Sequence, residues 1–401
     1  MAIIAAPFVA MAVVASAGAG FAVGLAQPPQ VQPAGSGWFT RWADDVGDET
    51  LAELTATAAG QQLSRRGREA LSGANGSLSG VPFESFRVRL ARADRPDAAE
   101  ARSGRFRATA IVEYRLPLDE VLVGRTADAT FRLGARGWRL VRLAASGRDL
   151  WDHEPVEVAE NGQTLVIGPR GDLRLPGLGT LAEQARQDVA GFWSARWPRT
   201  TVVVLPSAAR LLDPLAGTAS GSDQVAVTMW ASGSDGPVIR VLMNPGVYDQ
   251  MPTLARQIVL RHEITHVAQD ALPRDNVPTW LTEGMADYVG YRGSGVSDSL
   301  VGSQLFAQVR ASGAPEDLPA ESQFDLDRAG EERRVAYQSG WAFCKMLVDS
   351  YGEDTLVPFY VAVSKGDGPA EERLNSAADE VLGTTYDDLR AQWRSWLTAN
   401  A

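Results

Sequence analysis

The chain has 401 residues, enough for two domains, and 45% hydrophobic residues, enough to give each a buried core. Its formal net charge of −11 excludes a nucleic-acid partner, which would require a face of clustered Lys and Arg. A single cysteine, Cys344, excludes an internal disulfide and any multi-cysteine metal site, and its place in the helically spaced run SGWAFCKMLV predicts a buried structural thiol.

Residues 1–26 carry no ionisable side chain, the first being Arg41. The segment reads either as a cleaved secretory signal, with small residues around Ala17 to Ala26, or as an uncleaved anchor close to the ~20 residues a bilayer requires. Either reading puts the bulk of the chain outside the cytoplasm, secreted or held on the outer face of the cytoplasmic membrane. Residues 27–44, rich in Pro, Gln and Gly, form a linker.

Residues 45–150 read as an α+β accessory domain. A helix with Ala52, Leu54, Ala56, Ala59 and Leu63 on its apolar face precedes the runs FESFRVRLARA, RFRATAIVEYRLPL and ADATFRLGARGWRLVRLAAS. Apolar and polar residues alternate in these runs, which predicts antiparallel strands with one wet face. A helix followed by a curved antiparallel sheet resembles the cone-shaped nuclear-transport-factor-2-like (NTF2-like) domains.

Residues 151–177 are expected to connect the two halves through a hairpin around Asn161-Gly162, with His153 as a surface or packed residue. From residue 178 to 401 the pattern is that of an enzyme domain. LAEQARQDVAGFWSARW predicts a helix, TTVVVLP a short strand, and QVAVTMWASGSDGPVIRVLMNP two strands joined by a Gly/Ser turn. Helices follow to the C-terminus, ending with YDDLRAQWRSWL.

The chemistry concentrates in VLRHEITHVAQD. On a helix His262 and His266 project from one face, one turn apart, and can offer a nitrogen each to a single cation. Glu263 lies about 100° around the helix, beside such an ion, where a carboxylate can take a proton from water. Pro252 suits the first turn, Leu254, Ile258, Leu260, Ile264 and Val267 supply apolar surface, and Pro273 stops the run. Two histidines leave a catalytic zinc one protein ligand short. In TWLTEGMADYVGY, Glu283 is placed to supply it, and Asp287, one turn on, to accept a hydrogen bond from the far nitrogen of a liganding histidine. Gly284 would let these two helices approach closely.

The pair HEITH and WLTEGMADY resembles the gluzincin metallopeptidases, the group containing thermolysin and the zinc aminopeptidases, and within it the peptidase MA-like hydrolases. The resemblance implies a thermolysin-like domain with a small sheet, an active-site helix and a helical C-terminal part. It implies one Zn²⁺ per chain on His262, His266 and Glu283, Glu263 as general base and proton shuttle, and Asp287 behind a histidine. It further implies that Tyr337, three residues before Gly340 in VAYQSGWAFCKML, donates to the oxyanion, and that GPVIRVLMNP is an edge strand that pairs with an extended substrate. That strand has Val241, Leu242, Met243 and Asn244, without the glutamate by which aminopeptidases capture a free amine, so an endopeptidase acting on peptide or protein is favoured. Two alternatives stay open: an inactive envelope-binding protein stapled by zinc, and a zinc hydrolase of a non-peptide substrate.

Overall fold

The computed structural model describes residues 61–62, 78–93, 105–134, 137–143, 147–217, 226–232, 237–272, 277–325 and 330–401. The apolar leader, the linker and nearly all of the expected first helix lie outside them. Within that helical run, Gln61 and Gln62 are described, and they pair with the first long strand as β1. Among the described residues no helix is long and apolar enough to cross a membrane.

The front half is a sheet in sequence order, β1 (Gln61–Gln62), β2 (Ser85–Ala93), β3 (Arg105–Arg115), β4 (Val123–Gly134) and β5 (Gly137–Leu143), each antiparallel to the next. The expected alternation is present in β3 and β4. Ala110, Val112 and Tyr114 of β3 and Val123, Ala127 and Ala129 of β4 are buried, and the residues between them are not. Phe83, Phe86, Tyr114 and Trp151 close one end as an aromatic cluster with ring centroids 5.0–5.5 Å apart. The helix that the NTF2-like reading needs is outside the described residues.

The second sheet is mixed, in the order β6 (Val156–Asn161), β7 (Thr164–Pro169), β8 (Thr201–Val204), β10 (Pro237–Met243), β9 (Ala226–Ser232). The hairpin around Asn161-Gly162 forms, its turn opening on Gly162 at φ +61°. It is no connector, however. β7 runs parallel to β8 and is buried along Thr164–Gly168, so residues 151–177 supply two strands of this sheet and the start of the following helix. A second correction concerns GPVIRVLMNP. As β10 it pairs along its length with β9 and through Val241 and Leu242 with β8, so it lies inside the sheet, and the edge strand on that side among the described strands is β9.

Helix α1 (Leu175–Phe192) crosses between β7 and β8, beginning earlier than its amphipathic stretch because Pro176 fits the first turn. Beyond β10 come α2 (Thr253–Gln269), α3 (Thr279–Tyr291), α4 (Ser303–Ser312), α5 (Gly330–Tyr351), α6 (Leu356–Lys365), α7 (Ala370–Ala377) and α8 (Tyr386–Asn400). Cys344 is buried in α5, and His153 bonds the Gly147 carbonyl at 2.8 Å.

Both faces of the second sheet are covered. Val166, Val203, Val241 and Met243 face the helical layer, while their neighbours Leu165, Ile167, Val202, Val204 and Leu242 share a core with the front sheet. Two-sided burial explains why β7 and β8 read as near-continuous apolar runs rather than alternating ones. The junction also carries a buried ion pair: Arg240 of β10 donates to Asp119 at 2.7 Å, with side chains 7% and 2% exposed. Asp119→Ala therefore leaves a buried guanidinium without its counter-charge and is expected to cost about 3–5 kcal/mol in denaturant unfolding, much of it recovered when Arg240→Met is added.

Candidate metal centre

Helix α2 starts after Pro252, and from Ile258 to Gln269 every residue except Arg261 is buried. It is a central helix rather than an amphipathic one, and Leu254, expected to add apolar surface, is 41% exposed. Because α3 packs beside it, the one-turn spacing of His262 and His266 meets Glu283. The three residues form a cluster whose candidate ligand atoms all lie within 4.8 Å of one another. The ring Nε2 atoms are 3.0 Å apart, and Glu283 Oε2 lies 3.4 Å from His262 Nε2 and 3.5 Å from His266 Nε2. Donors at about 2.0–2.2 Å from one tetrahedral zinc lie roughly 3.3–3.6 Å from each other, so the two edges to Glu283 match the ion and the edge between the rings is slightly short of it.

Hydrogen bonding strengthens that fit. His262 Nδ1 is 2.9 Å from Asp287 Oδ1, and His266 Nδ1 is 2.7 Å from Gln269 Oε1, while the Gln269 amide donates to the Thr282 carbonyl at 2.9 Å. Both acceptors fix the ring proton on Nδ1. The two Nε2 lone pairs then face each other across 3.0 Å, which is repulsive unless a cation or a shared proton sits between them. Neither oxygen of Glu283 has a hydrogen-bond partner, although the side chain is buried. Buried carboxylate oxygens without a hydrogen-bond partner are what a metal ligand presents to its ion.

The charges divide the carboxylates by role. Burial would raise Glu283, but His266 and His262 outweigh it and pull the group down to about 2. Burial raises Glu263 above the usual carboxylate range. One is thus held as an anion suited to ligation, and the other is made more basic. Burial opposes a charge on His262, yet the hydrogen bond to Asp287 and the nearby Glu283 carboxylate prevail and lift the ring to about 10. Burial also raises Asp287, so imidazole and carboxylate hold a proton between them.

Glu263 lies next to the cluster with Oε1 free of partners, while Oε2 accepts from Thr228 Oγ1 at 2.7 Å. Tyr337, on α5, is 5% exposed, with its ring 5.3 Å from that of Phe324. Burial raises its hydroxyl well above the ordinary phenol range, and the charges of Glu283 and Asp287 add to this, so it stays a donor. His262, His266 and Glu283 form the cluster and Asp287 bonds to it, while Glu263 and the Tyr337 hydroxyl lie within reach of its charges. Gly284 has a different partner from the one expected. A Cβ there would come within 2.3 Å of the Gly340 backbone, so it allows close approach to α5, whereas Gly290 lies against α2, with Ile258 O at 3.1 Å.

Two residues escaped the sequence reading. Gln269 is three residues after His266 on the same helix face, a spacing that could have flagged it. Thr228 comes from a distant strand and left no local signal. A cavity of about 730 Å³ opens between Leu118, Trp197, Arg240 and Leu272, and none of the metal-cluster residues lines it.

No family model matches this chain, and no curated protein does. Among solved structures it is similar to an M1 zinc metallopeptidase from Deinococcus radiodurans at 16% identity and TM-score 0.37, covering 75% of this chain and 62% of that one. A substituted form of that enzyme bound to a Tyr-Ser-Ala substrate gives 15% identity and TM-score 0.37 over the same shares, 75% and 62%. A two-domain M1 zinc metallopeptidase mutant bound to L-tryptophan gives 15% identity and TM-score 0.36, covering 82% of this chain and 74% of that one. The chain spans less than two thirds of the first of these. At such distances activity has to be argued from the site itself.

Two outcomes are expected. Zinc must displace the proton that His262 holds up to a pKa of about 10, so its apparent affinity rises with pH through neutrality and falls in acid; calorimetry in buffers of different ionisation heat will show proton release. Gly284→Ala must push α3 from α5 and carry Glu283 with it. It is expected to lose about 1–3 kcal/mol of stability and at least tenfold in zinc affinity, while Gly177→Ala, with nothing within 4 Å, does neither.

Proposed function

We propose that the protein is a zinc-dependent peptide hydrolase. The observation that carries this is the buried triangle of His262 Nε2, His266 Nε2 and Glu283 Oε2, 3.0–3.5 Å on a side, with the more basic Glu263 beside it. Zinc, when bound there, supplies Lewis acidity that makes water a stronger acid and polarises a carbonyl. The remaining work falls to side chains. Glu263 takes the proton from the attacking water and returns it to the leaving nitrogen. Tyr337 donates to the carbonyl oxygen as it gains charge, a contact worth roughly 2.7–4 kcal/mol in comparable sites. Asp287 and Gln269 fix the rings so that both Nε2 atoms would be free to hold the ion.

A peptide is the favoured substrate because β9 is, among the described strands, an edge strand against α2, able to take an extended chain by backbone pairing. Residues Ala226–Ser232 include no carboxylate to hold a free amine, which favours internal cleavage. Export rests on the uncharged leader, residues 1–26. A second reading, a zinc-stapled protein without activity, draws on one observation: His262, Glu263 and Glu283 are 0% exposed and His266 1%, so substrate entry requires movement.

Zinc content and turnover of a peptide library by the chain without residues 1–26 separate these readings. The expected result is one zinc per chain, cleavage within peptides, and for Glu263→Gln full zinc with activity lower by about 10²–10⁴-fold. Stoichiometric zinc without turnover would favour the staple, and absence of zinc would defeat both.

A further inference from the structure

β9 is paired with β10 so that Thr228 stands opposite Val241, and Ala226 opposite Met243. Cross-strand partners share a face, so Thr228 points with these residues into the helical layer. A hydroxyl there is out of keeping with its neighbours. Thr228 is 0% exposed, and valine would fill the place with better strand propensity and no polar group to satisfy. The hydroxyl goes to one residue: it is 2.7 Å from Glu263 Oε2 and 3.3 Å from the Glu263 carbonyl. The other oxygen, Oε1, is buried without a partner.

We propose that Thr228 is a positioning residue, which ties Oε2 of Glu263 to the edge strand and leaves Oε1 as the oxygen that accepts the proton from water. The proposal rests on the peptide-hydrolase reading and adds a division of labour within the carboxylate. A free carboxylate can rotate about its last torsion, and either oxygen can then face the reactants. With Oε2 held, one orientation remains, and misplacement by about 1 Å is the kind of error that costs roughly 10²-fold in rate. Because the tether sits on β9, the strand that would pair with substrate also sets the base.

The test compares Thr228→Val, which keeps shape and removes the hydroxyl, with Thr228→Ser, which keeps the hydroxyl. Thr228→Val is expected to lower kcat by about 10–100-fold with KM within about twofold and one zinc still bound. Thr228→Ser is expected to restore most of kcat. Parent-like kcat in Thr228→Val overturns the proposal, as does equal impairment of both variants, which would mark a packing role. A readout independent of turnover is the Glu263 carboxylate in crystals of the zinc-loaded proteins: one orientation in the parent and Thr228→Ser, more than one in Thr228→Val. A single shared orientation in all three refutes the tether. If the parent cleaves nothing, the hydrolase reading fails, while this comparison still decides what Thr228 holds. Should Thr228→Val not fold, Thr228→Cys, a much weaker donor, takes its place in both measurements.

Discussion

Two imidazole lone pairs facing each other across 3.0 Å are the constraint on which the rest of the helical half depends. Each ring has spent its proton on the far side, on Asp287 and on Gln269, and three carboxylates, Glu263, Glu283 and Asp287, are packed around the pair. Such a pocket is stable when something positive occupies its centre. Without it, protons are drawn in, which is why His262 stands near a pKa of 10. The surrounding architecture can be understood as what prevents this cluster from relaxing. α2 is buried on all sides through its second half, α3 is pressed on α5, and the Gln269 amide is locked to the Thr282 carbonyl.

How much of this was legible before the fold is instructive. HEITH and EGMAD carried the cluster because helical periodicity is local: residues four apart must share a face, and a glutamate next to a histidine must lie beside it. The antiparallel front strands were likewise readable from alternation. What sequence could not convey was adjacency between distant segments. Thr228 belongs to a strand that reaches Glu263 only through sheet order, and that order put β9 rather than β10 at the edge. The hairpin at Asn161-Gly162 was visible as a turn, but its membership of the second sheet depends on parallel pairing with Thr201–Val204, which has no short-range signature. Gly284 announced a close approach without saying to which helix.

The front sheet has a more intimate relation to the helical half than a tethered accessory unit would have. It supplies one wall of the core that covers Leu165, Ile167, Val202, Val204 and Leu242, and Asp119 neutralises Arg240. Stripping the chain back to Gly168 would remove β6 and most of β7 and bare an apolar sheet face. The front sheet and the second sheet are thus joined by a shared core and by a buried ion pair on β10.

The contact between Gly284 and Gly340 has a mechanical meaning. Where two helices meet backbone to backbone there is no flexible side chain to absorb displacement, so α3 and α5 behave as a welded joint at that turn. Glu283 sits on one arm of the joint next to the weld, and Tyr337 on the other arm, three residues from it. A displacement of either helix at that turn is therefore passed to both groups, and Glu283 and Tyr337 keep their spacing as a pair.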